Sequence, residues 1–298
     1  MKILIAGGSG FLGSALTRSL LAKGHQVWVL TRQEKPAAST TPVRFLRWDG
    51  KTTQGWGATI NEMDAVINLS GESLSHWPWT ETRKKRFLES RILPTRALVE
   101  AIQQAERRPS VYFQVSGINH YGLRGEPADE QTPPGDDFLA RLTVEWENAS
   151  RPLEALGLRR IVGRLAVVLD WHGGMLRLMA LPVRLFFGGP IGRGDQAVPW
   201  IHLQDTIGAI EFLLFNETAQ GVYNLIAPQA TSNAEFMRTL ARVLRRPYWL
   251  PTPAFLLRLV LGEMSVLITE GRYAQPRRLL EAGYSFRYPT LEEALRAR

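Results

Sequence analysis

The chain opens with Met1-Lys-Ile-Leu-Ile-Ala-Gly-Gly-Ser-Gly-Phe-Leu-Gly13, in which an apolar strand leads directly into a glycine-rich turn. A helical pattern from Ser14 to Lys23 follows at once, and in this context the Gly-x-x-Gly-x-x-Gly spacing is typical of a dinucleotide-binding loop. The first glycine permits a tight turn, the second lets the backbone approach a pyrophosphate, and the third lets the helix lie close to its strand. The unpaired N–H groups at the start of the helix attract phosphates. The stretch therefore predicts a binding loop composed of Gly7, Ser9, Gly10, Phe11, Leu12 and Gly13.

The end of the second predicted strand, residues 26–30, indicates which dinucleotide the loop binds. An NAD-preferring site usually ends this strand with an acidic residue that binds the ribose 2′-hydroxyl. Here the strand ends in Thr31 and Arg32. A guanidinium is suited to bidentate contact with a 2′-phosphate, and the Thr31 hydroxyl adds a donor. NADP(H) is therefore favoured over NAD(H), the alternative being that Arg32 is a solvated loop charge.

Apolar strands alternate with helical segments through the first half of the chain, which predicts an α/β fold with a Rossmann-type doubly wound parallel sheet. Further strands are predicted over residues 43–48, 64–69, 111–116, 160–169 and 221–226. Pro94 is expected to interrupt or bend the helix that starts after Thr80, and Asp205 is a candidate N-cap. We expect an NADP-binding Rossmann domain over 1–169, with its sheet completed by parts of 200–227. We expect substrate-region insertions and closing elements over 170–246. A small, mainly helical C-terminal domain is expected over 247–298.

The composition excludes several classes of function. The 298 residues include no cysteine, which rules out disulfides, thiolate metal sites and a cysteine nucleophile, and the five scattered histidines give no support for a metal site. The net charge is +8, yet the cations are scattered and form no nucleic-acid module, so no nucleic-acid partner is expected. No apolar run is long enough for a spanning helix and no signal peptide precedes the first strand, which favours a cytoplasmic protein with no membrane partner. The apolar segment 255–262 lacks a defined cationic face, so we expect it in the core or in a subunit contact.

Ligands of an open parallel sheet bind outside the carboxyl ends of its strands. Since Arg32, Asp49, Ser70 and Ser116 stand at or just after such strand ends, we expect them to line one crevice. With these residues the chain resembles the short-chain dehydrogenase/reductase superfamily, in its extended branch, and within it the epimerase-like proteins that carry a C-terminal domain of their own. The stretches that match are Gly7–Gly13, Asn68-Leu-Ser-Gly-Glu72, Glu89-Ser-Arg91, Tyr121-Gly122, Trp146-Glu147, Gly189-Pro-Ile-Gly192, Trp200-Ile-His202 and Pro276-Arg-Arg-Leu-Leu-Glu-Ala-Gly283. The resemblance covers essentially the whole chain.

The resemblance implies positions for several residues. The cofactor would pass beside Leu69, Ser70, Gly71 and Glu72, and Ser116 would lie near its nicotinamide. In the related enzymes the helices after the fourth strand pair into dimers, which makes a homodimer one candidate assembly and leaves the oligomeric state open. In the superfamily a serine or threonine binds the substrate oxygen, a tyrosine acts as general acid/base, and a lysine four residues later lowers the tyrosine pKa.

This sequence departs from that pattern, because no tyrosine is followed by lysine at the fourth position. Alignment on Trp146 places Leu139 and Thr143 where the tyrosine and lysine would stand. Ser116 and Tyr121 remain as catalytic candidates, with His120 or Arg164 as groups that tune the phenol; the alternative is that Tyr121 only packs over the pocket. The resulting prediction is an NADP(H)-binding oxidoreductase or epimerase acting on a carbonyl- or hydroxyl-bearing small molecule, with a nucleotide sugar as one candidate. The alternative is a non-catalytic NADP(H)-binding sensor or scaffold.

Overall fold

The computed structural model describes residues 1–33 and 42–297, which contain nine strands. Seven parallel strands form the central sheet in the order β3-β2-β1-β4-β5-β6-β9, and β7 pairs with β8 in a separate two-stranded sheet. This confirms the predicted Rossmann-type α/β fold. The strand predicted over residues 160–169 is divided at Ala166, where the chain leaves the central sheet for the small one. The strands are β1 (Lys2–Ala6), β2 (Gln26–Thr31), β3 (Val43–Arg47), β4 (Ala65–Asn68), β5 (Val111–Gly117), β6 (Arg159–Leu165), β7 (Val167–Leu169), β8 (Trp200–His202) and β9 (Gly221–Leu225).

Ten α-helices within the described residues surround these sheets. They are α1 (Phe11–Ala22), α2 (Glu81–Gln104), α3 (Phe138–Ala149), α4 (Gly174–Arg184), α5 (Leu203–Phe215), α6 (Asn233–Leu244), α7 (Ala254–Leu261), α8 (Val266–Thr269), α9 (Arg277–Glu281) and α10 (Leu291–Arg296). The expected interruption at Pro94 is wrong, because α2 continues through it and the proline ring is buried. Packing of the neighbouring turns against the sheet offsets the missing hydrogen bond.

The sheet has a hydrophobic core on each face, as a doubly wound fold requires. One core joins Ile3 and Ile5 of β1 to apolar residues of α1 and α5. The other joins Leu4 of the same strand to Leu98 and Ile102 of α2. Because alternate residues of a strand point to opposite faces, β1 is apolar at every position from Ile3 to Ala6.

The C-terminal helices dock onto this framework through Asp205. The predicted N-cap role of Asp205 is wrong, since His202 caps α5 and Asp205 lies in its first turn. The Asp205 carboxylate instead accepts hydrogen bonds from the backbone N–H groups of Arg287 and Tyr288, at 2.7 and 2.9 Å. A buried carboxylate needs such donors, and these fasten the segment before α10 to the start of α5.

The apolar helix α7 is placed differently from the core burial that its composition suggested. None of its residues is buried. The expectation that it enters the core is therefore wrong. No helix among the described residues combines the length and the apolar character that crossing a bilayer requires.

Candidate functional site

The glycine loop connects β1 to α1, and the backbone around it constrains two of its three glycines. Gly7 has a positive φ of 78°, and a Cβ there would lie 2.7 Å from the Leu69 carbonyl oxygen. A Cβ on Gly13 would lie 2.2 Å from the Gly7 carbonyl oxygen, so only glycine lets α1 approach the loop. Gly10 differs, because a Cβ there would meet only the Gly7 carbonyl oxygen, at 3.3 Å. Its outer side is therefore open, as a close approach by phosphate would require.

The rest of the predicted loop lies where α1 begins. Ser9 and Gly10 are exposed, and Phe11 and Leu12 are partly buried. The Phe11 ring packs beneath Gly173, where a Cβ would lie 2.5 Å from the ring. The segment that leads into α4 therefore covers one side of the loop, a contact that no local sequence pattern indicated.

The chain after β4 lies against the same loop. Asn68 at the end of β4 is fully buried, and its side-chain oxygen accepts a 3.0 Å hydrogen bond from the Ser70 N–H. The Ser70 hydroxyl is buried and has no hydrogen-bond partner among the described residues. An unpaired buried hydroxyl at the rim of a glycine cradle is available to a polar ligand. The cradle and this hydroxyl together fit a dinucleotide.

Glu72 is directed away from Ser70 and toward α2. Its carboxylate accepts hydrogen bonds from His76 and Arg83, at 2.9 and 3.2 Å, and its backbone carbonyl accepts one from the Arg91 guanidinium. Burial opposes the charge of Glu72, but the hydrogen bond of His76 and the charge of Arg86 outweigh it and lower the pKa. The Glu72 side chain, which was predicted to lie beside the cofactor, thus already has protein partners for its charge.

The far end of the crevice is a cavity of about 560 Å³ beside the ends of β2 and β3. Arg32 and Arg47 both line it, together with Asp49 and the turn that follows. The Thr31 hydroxyl is buried and accepts a 3.2 Å hydrogen bond from the Gln33 N–H, so it stabilises the turn. Arg47 was not predicted as a site residue, because its proximity to Arg32 depends on the pairing of β2 with β3.

The two predicted catalytic hydroxyls belong to one buried polar network. Ser116 of β5 pairs in register with Arg164 of β6, which pairs in register with Asn224 of β9. Their side chains point to the same face because neighbouring strands share the pleat. Ser116 donates to Glu147 of α3 at 2.8 Å, and Tyr121 donates to the Asn224 side-chain oxygen at 2.8 Å.

Arg164 and Glu147 form the centre of this network. Two guanidinium nitrogens of Arg164 donate to the two carboxylate oxygens of Glu147, at 2.9 and 2.8 Å, and a third donates to the Tyr121 hydroxyl at 2.9 Å. Burial alone would raise the pKa of Glu147, but the hydrogen bonds and charge of Arg164 lower it. Burial likewise opposes the charge of Arg164, and Glu147 outweighs it and raises that pKa. Both groups are therefore ionised, and each depends on the other for its charge.

Tyr121 and His120 are both uncharged at neutral pH. Burial raises the pKa of Tyr121 to about 12, although the charge of Arg164 acts in the opposite direction. Burial also lowers the pKa of His120 to about 4, against the charge of Glu147. The His120 Nδ1 lies 3.6 Å from a Glu147 oxygen and makes no hydrogen bond within the described residues.

The positions that the superfamily gives to tyrosine and lysine hold apolar contacts and a local hydrogen bond. Leu139 is buried against Trp79 and Phe87. Thr143 donates to the Ala140 carbonyl oxygen, and its methyl group lies against Gly117. The polar and ionisable side chains that lie together near the end of β5 are therefore those of the Ser116 network. Glu147 and Asn224 were not predicted as site residues; an arginine inside an otherwise apolar strand signals that a buried partner exists, but not which one.

Comparison with known proteins matches two stretches of the chain to family models. The model of the NAD dependent epimerase/dehydratase family matches residues 3–225, and that of DUF1731, a domain of unknown function, matches residues 252–297. The epimerase family protein SDR39U1 of Bos taurus is 39% identical over 303 residues, which cover 99% of each chain. The epimerase family protein YfhF of Bacillus subtilis is 36% identical over 299 residues, covering 99% of this chain and 97% of YfhF.

A solved structure is similar over the same length. The crystal structure of the human epimerase family protein SDR39U1 (isoform 2) with NADPH matches with a TM-score of 0.88 at 36% identity. The match covers 99% of this chain and 98% of the human one. The relatives therefore share both the Rossmann-type part and the C-terminal region.

Proposed function

The chain belongs to the NAD dependent epimerase/dehydratase family, and we propose that it is an NADP(H)-dependent oxidoreductase or epimerase acting on a small molecule with a carbonyl or hydroxyl group. The observation that carries the choice of NADP(H) is the cavity beyond the glycine loop, which two arginines line. Guanidinium groups bind phosphate with charge-assisted, bidentate hydrogen bonds. The human relative solved with NADPH supports the same choice.

In this proposal the dinucleotide lies along the carboxyl ends of β1, β4 and β5. The open side of Gly10 and the first N–H groups of α1 hold its pyrophosphate, and the unpaired Ser70 hydroxyl binds a polar group beside them. Arg32 and Arg47 hold the 2′-phosphate. When bound, the nicotinamide supplies hydride exchange with a substrate carbon.

Ser116 and Tyr121 are the proposed catalytic residues at the substrate oxygen. Arg164 stands beside the Tyr121 hydroxyl, in the role of cation that a lysine has in the related enzymes. Since burial outweighs this cation and raises the pKa of Tyr121 to about 12, Tyr121 serves as a neutral proton donor. Arg164 stabilises the phenolate that forms when the proton leaves. Glu147 is a positioning residue that orients Arg164 and the Ser116 hydroxyl.

Titration of the purified protein with NADPH and NADH tests the cofactor assignment, and Arg32→Ala makes the test specific. Loss of a charge-assisted phosphate contact costs about 1.5–3 kcal/mol, so NADPH binding should weaken roughly 10- to 150-fold. NADH lacks the 2′-phosphate, so its affinity should change less than about threefold. Arg44→Ala is the matched control, because Arg44 is an exposed arginine of β3 that stacks on Trp28 outside the cavity lining. An equal loss of both dinucleotides would refute the assignment of Arg32 to the phosphate.

Tyr121→Phe tests the proposed proton donor. The variant keeps the ring and removes the hydroxyl, so turnover should fall about 100-fold while the Kd for NADPH stays within about threefold. Because Tyr121 remains protonated up to its pKa near 12, the wild-type rate should show no tyrosine ionisation between about pH 6 and pH 10. Tyr284→Phe is the control, a partly buried tyrosine whose hydroxyl donates to the Asp205 carbonyl oxygen at 3.0 Å, away from the Ser116 network and the glycine loop. Unchanged turnover in Tyr121→Phe contradicts the role.

One observation favours a second function, that of a non-catalytic NADP(H) sensor or scaffold. Ser116 and Tyr121 both donate their protons inside the network, to Glu147 and Asn224, so neither proton points to a substrate in this structure. In this alternative the protein binds NADPH, and a screen of carbonyl substrates produces no oxidation of the bound cofactor. Turnover of any substrate that depends on Tyr121 decides in favour of the enzyme.

A further inference from the structure

We propose that this protein carries a docking surface for anionic phospholipid bilayers, formed by the segments 174–187 and 245–261. Fourteen large apolar side chains are exposed in the described residues, and ten of them lie within these two segments. Leu259 is 81% exposed and Trp249 is 62% exposed. Monomeric soluble proteins rarely expose so much contiguous apolar surface without a partner for it.

Backbone pairing joins the two segments into one surface. The Trp249 indole donates to the Phe186 carbonyl oxygen at 3.0 Å, and the Trp249 N–H donates to the Gly188 carbonyl oxygen at 2.8 Å. Further along, the Gly192 N–H donates to the carbonyl oxygen of Thr252, two residues before α7 begins. The exposed side of α4, the aromatic pair Phe186-Phe187, Trp249 and α7 therefore follow one another along a single ribbon.

The backbone at this surface contains two strained conformations. Two non-glycine residues among those described have a positive φ, and both belong to it: Phe186 at 69° and Arg245 at 54°. Such conformations cost free energy and persist where the surrounding structure enforces them, most often at functional positions. The Phe186 ring remains more than half exposed, with the Arg246 guanidinium 4.7 Å from its centre.

The positive charge of the two segments favours an anionic bilayer as the partner of this surface. The two segments contain Arg177, Arg184, Arg245, Arg246 and Arg258 and no acidic residue, so they carry five of the chain's eight net positive charges. All five arginines are exposed. Arginine side chains lay their apolar stems on such a surface and keep the guanidinium in water, while tryptophan favours the boundary between apolar and polar layers. Apolar contact combined with cationic charge is the pattern by which proteins bind anionic bilayers without spanning them.

A second copy of the chain fits this surface poorly. A two-fold symmetric contact places a patch against itself, which would bring the arginines of one copy against those of the other. Of the five, Arg258 has a carboxylate beside it, that of Glu270 at 3.6 Å. Juxtaposed like charges disfavour such pairing. The cationic face that α7 lacks by itself is thus supplied by its tertiary neighbours, and it favours a lipid partner.

Flotation of the full-length protein with vesicles tests the proposal. Neutral phosphatidylcholine vesicles are compared with vesicles that also contain phosphatidylglycerol. We expect a partition coefficient roughly 100-fold higher for the anionic vesicles, falling as salt is raised. Leu259→Ser combined with Trp249→Ser should reduce binding at least about tenfold, since the apolar contact is lost. Leu280→Ser combined with Trp77→Ser is the matched control, because both side chains are exposed elsewhere.

The arginines are tested separately. Arg177→Gln with Arg245→Gln should weaken binding to anionic vesicles about tenfold, whereas Arg18→Gln with Arg151→Gln removes the same charge from exposed positions outside the surface and should change it little. Equal effects of the two pairs would show attraction by net charge alone and would overturn the proposal. So would equal binding to neutral vesicles, an absence of binding, or a dimer in sedimentation that the Leu259 and Trp249 substitutions abolish.

Discussion

Gly10→Leu should reduce the affinity for both NADPH and NADH by at least about 100-fold. A Cβ at this position meets nothing closer than the Gly7 carbonyl oxygen, at 3.3 Å, so the leucine side chain extends from the open side of the loop. There it occupies the space through which a pyrophosphate approaches the first N–H groups of α1. Because the backbone of Gly10 is extended, with φ of −78°, the fold does not require glycine at this position.

Isothermal titration with each dinucleotide measures this effect, and thermal unfolding shows that the fold is intact. Ala22→Leu is the control, since it places the same leucine side chain at an exposed position at the other end of α1. Gly13→Ala provides the contrast, because its Cβ would lie 2.2 Å from the Gly7 carbonyl oxygen and must displace the helix. Normal binding by a folded Gly10→Leu protein would mean that the loop does not hold the pyrophosphate.

Glu147→Ala should lower the free energy of unfolding by about 3–5 kcal/mol. The substitution leaves the Arg164 guanidinium buried without its bidentate partner, and a buried unpaired charge is among the most destabilising changes. It also removes the acceptor of the Ser116 hydroxyl. Denaturant unfolding followed by circular dichroism measures the change.

Two variants separate this explanation from a general effect of losing a carboxylate. Glu62→Ala removes an exposed partner of Lys2 and should cost less than about 1 kcal/mol. Replacing both members of the buried pair, as Glu147→Leu with Arg164→Met, should restore much of the lost stability, because no charge is then left unpaired. A double variant as unstable as Glu147→Ala would show that packing around α3, rather than the ion pair, determines the loss.

The parts of this protein that follow from local sequence were predicted closely. The pattern of apolar residues in β1 and the spacing of Gly7, Gly10 and Gly13 indicate a strand, a turn and a helix, since each depends on a few consecutive residues. The alternation of strands and helices then leads to the parallel sheet. Errors arose where tertiary contacts override local preference: packing keeps α2 continuous through Pro94, and Asp205 fastens the C-terminal segment instead of capping α5.

The remaining features depend on which residues meet across the assembled sheet. Ser116, Arg164 and Asn224 are separated by long stretches of chain, and strand register alone aligns them. The proximity of Arg47 to Arg32, and that of the exposed segments 174–187 and 245–261, likewise results from pairing between distant strands and loops. The sequence by itself determined the Rossmann-type fold and the dinucleotide loop, because both are encoded by local periodicity and glycine spacing. The tertiary structure alone decided the partners of the buried charges, because burial forces each charge to find a counterpart that only the folded chain brings within reach.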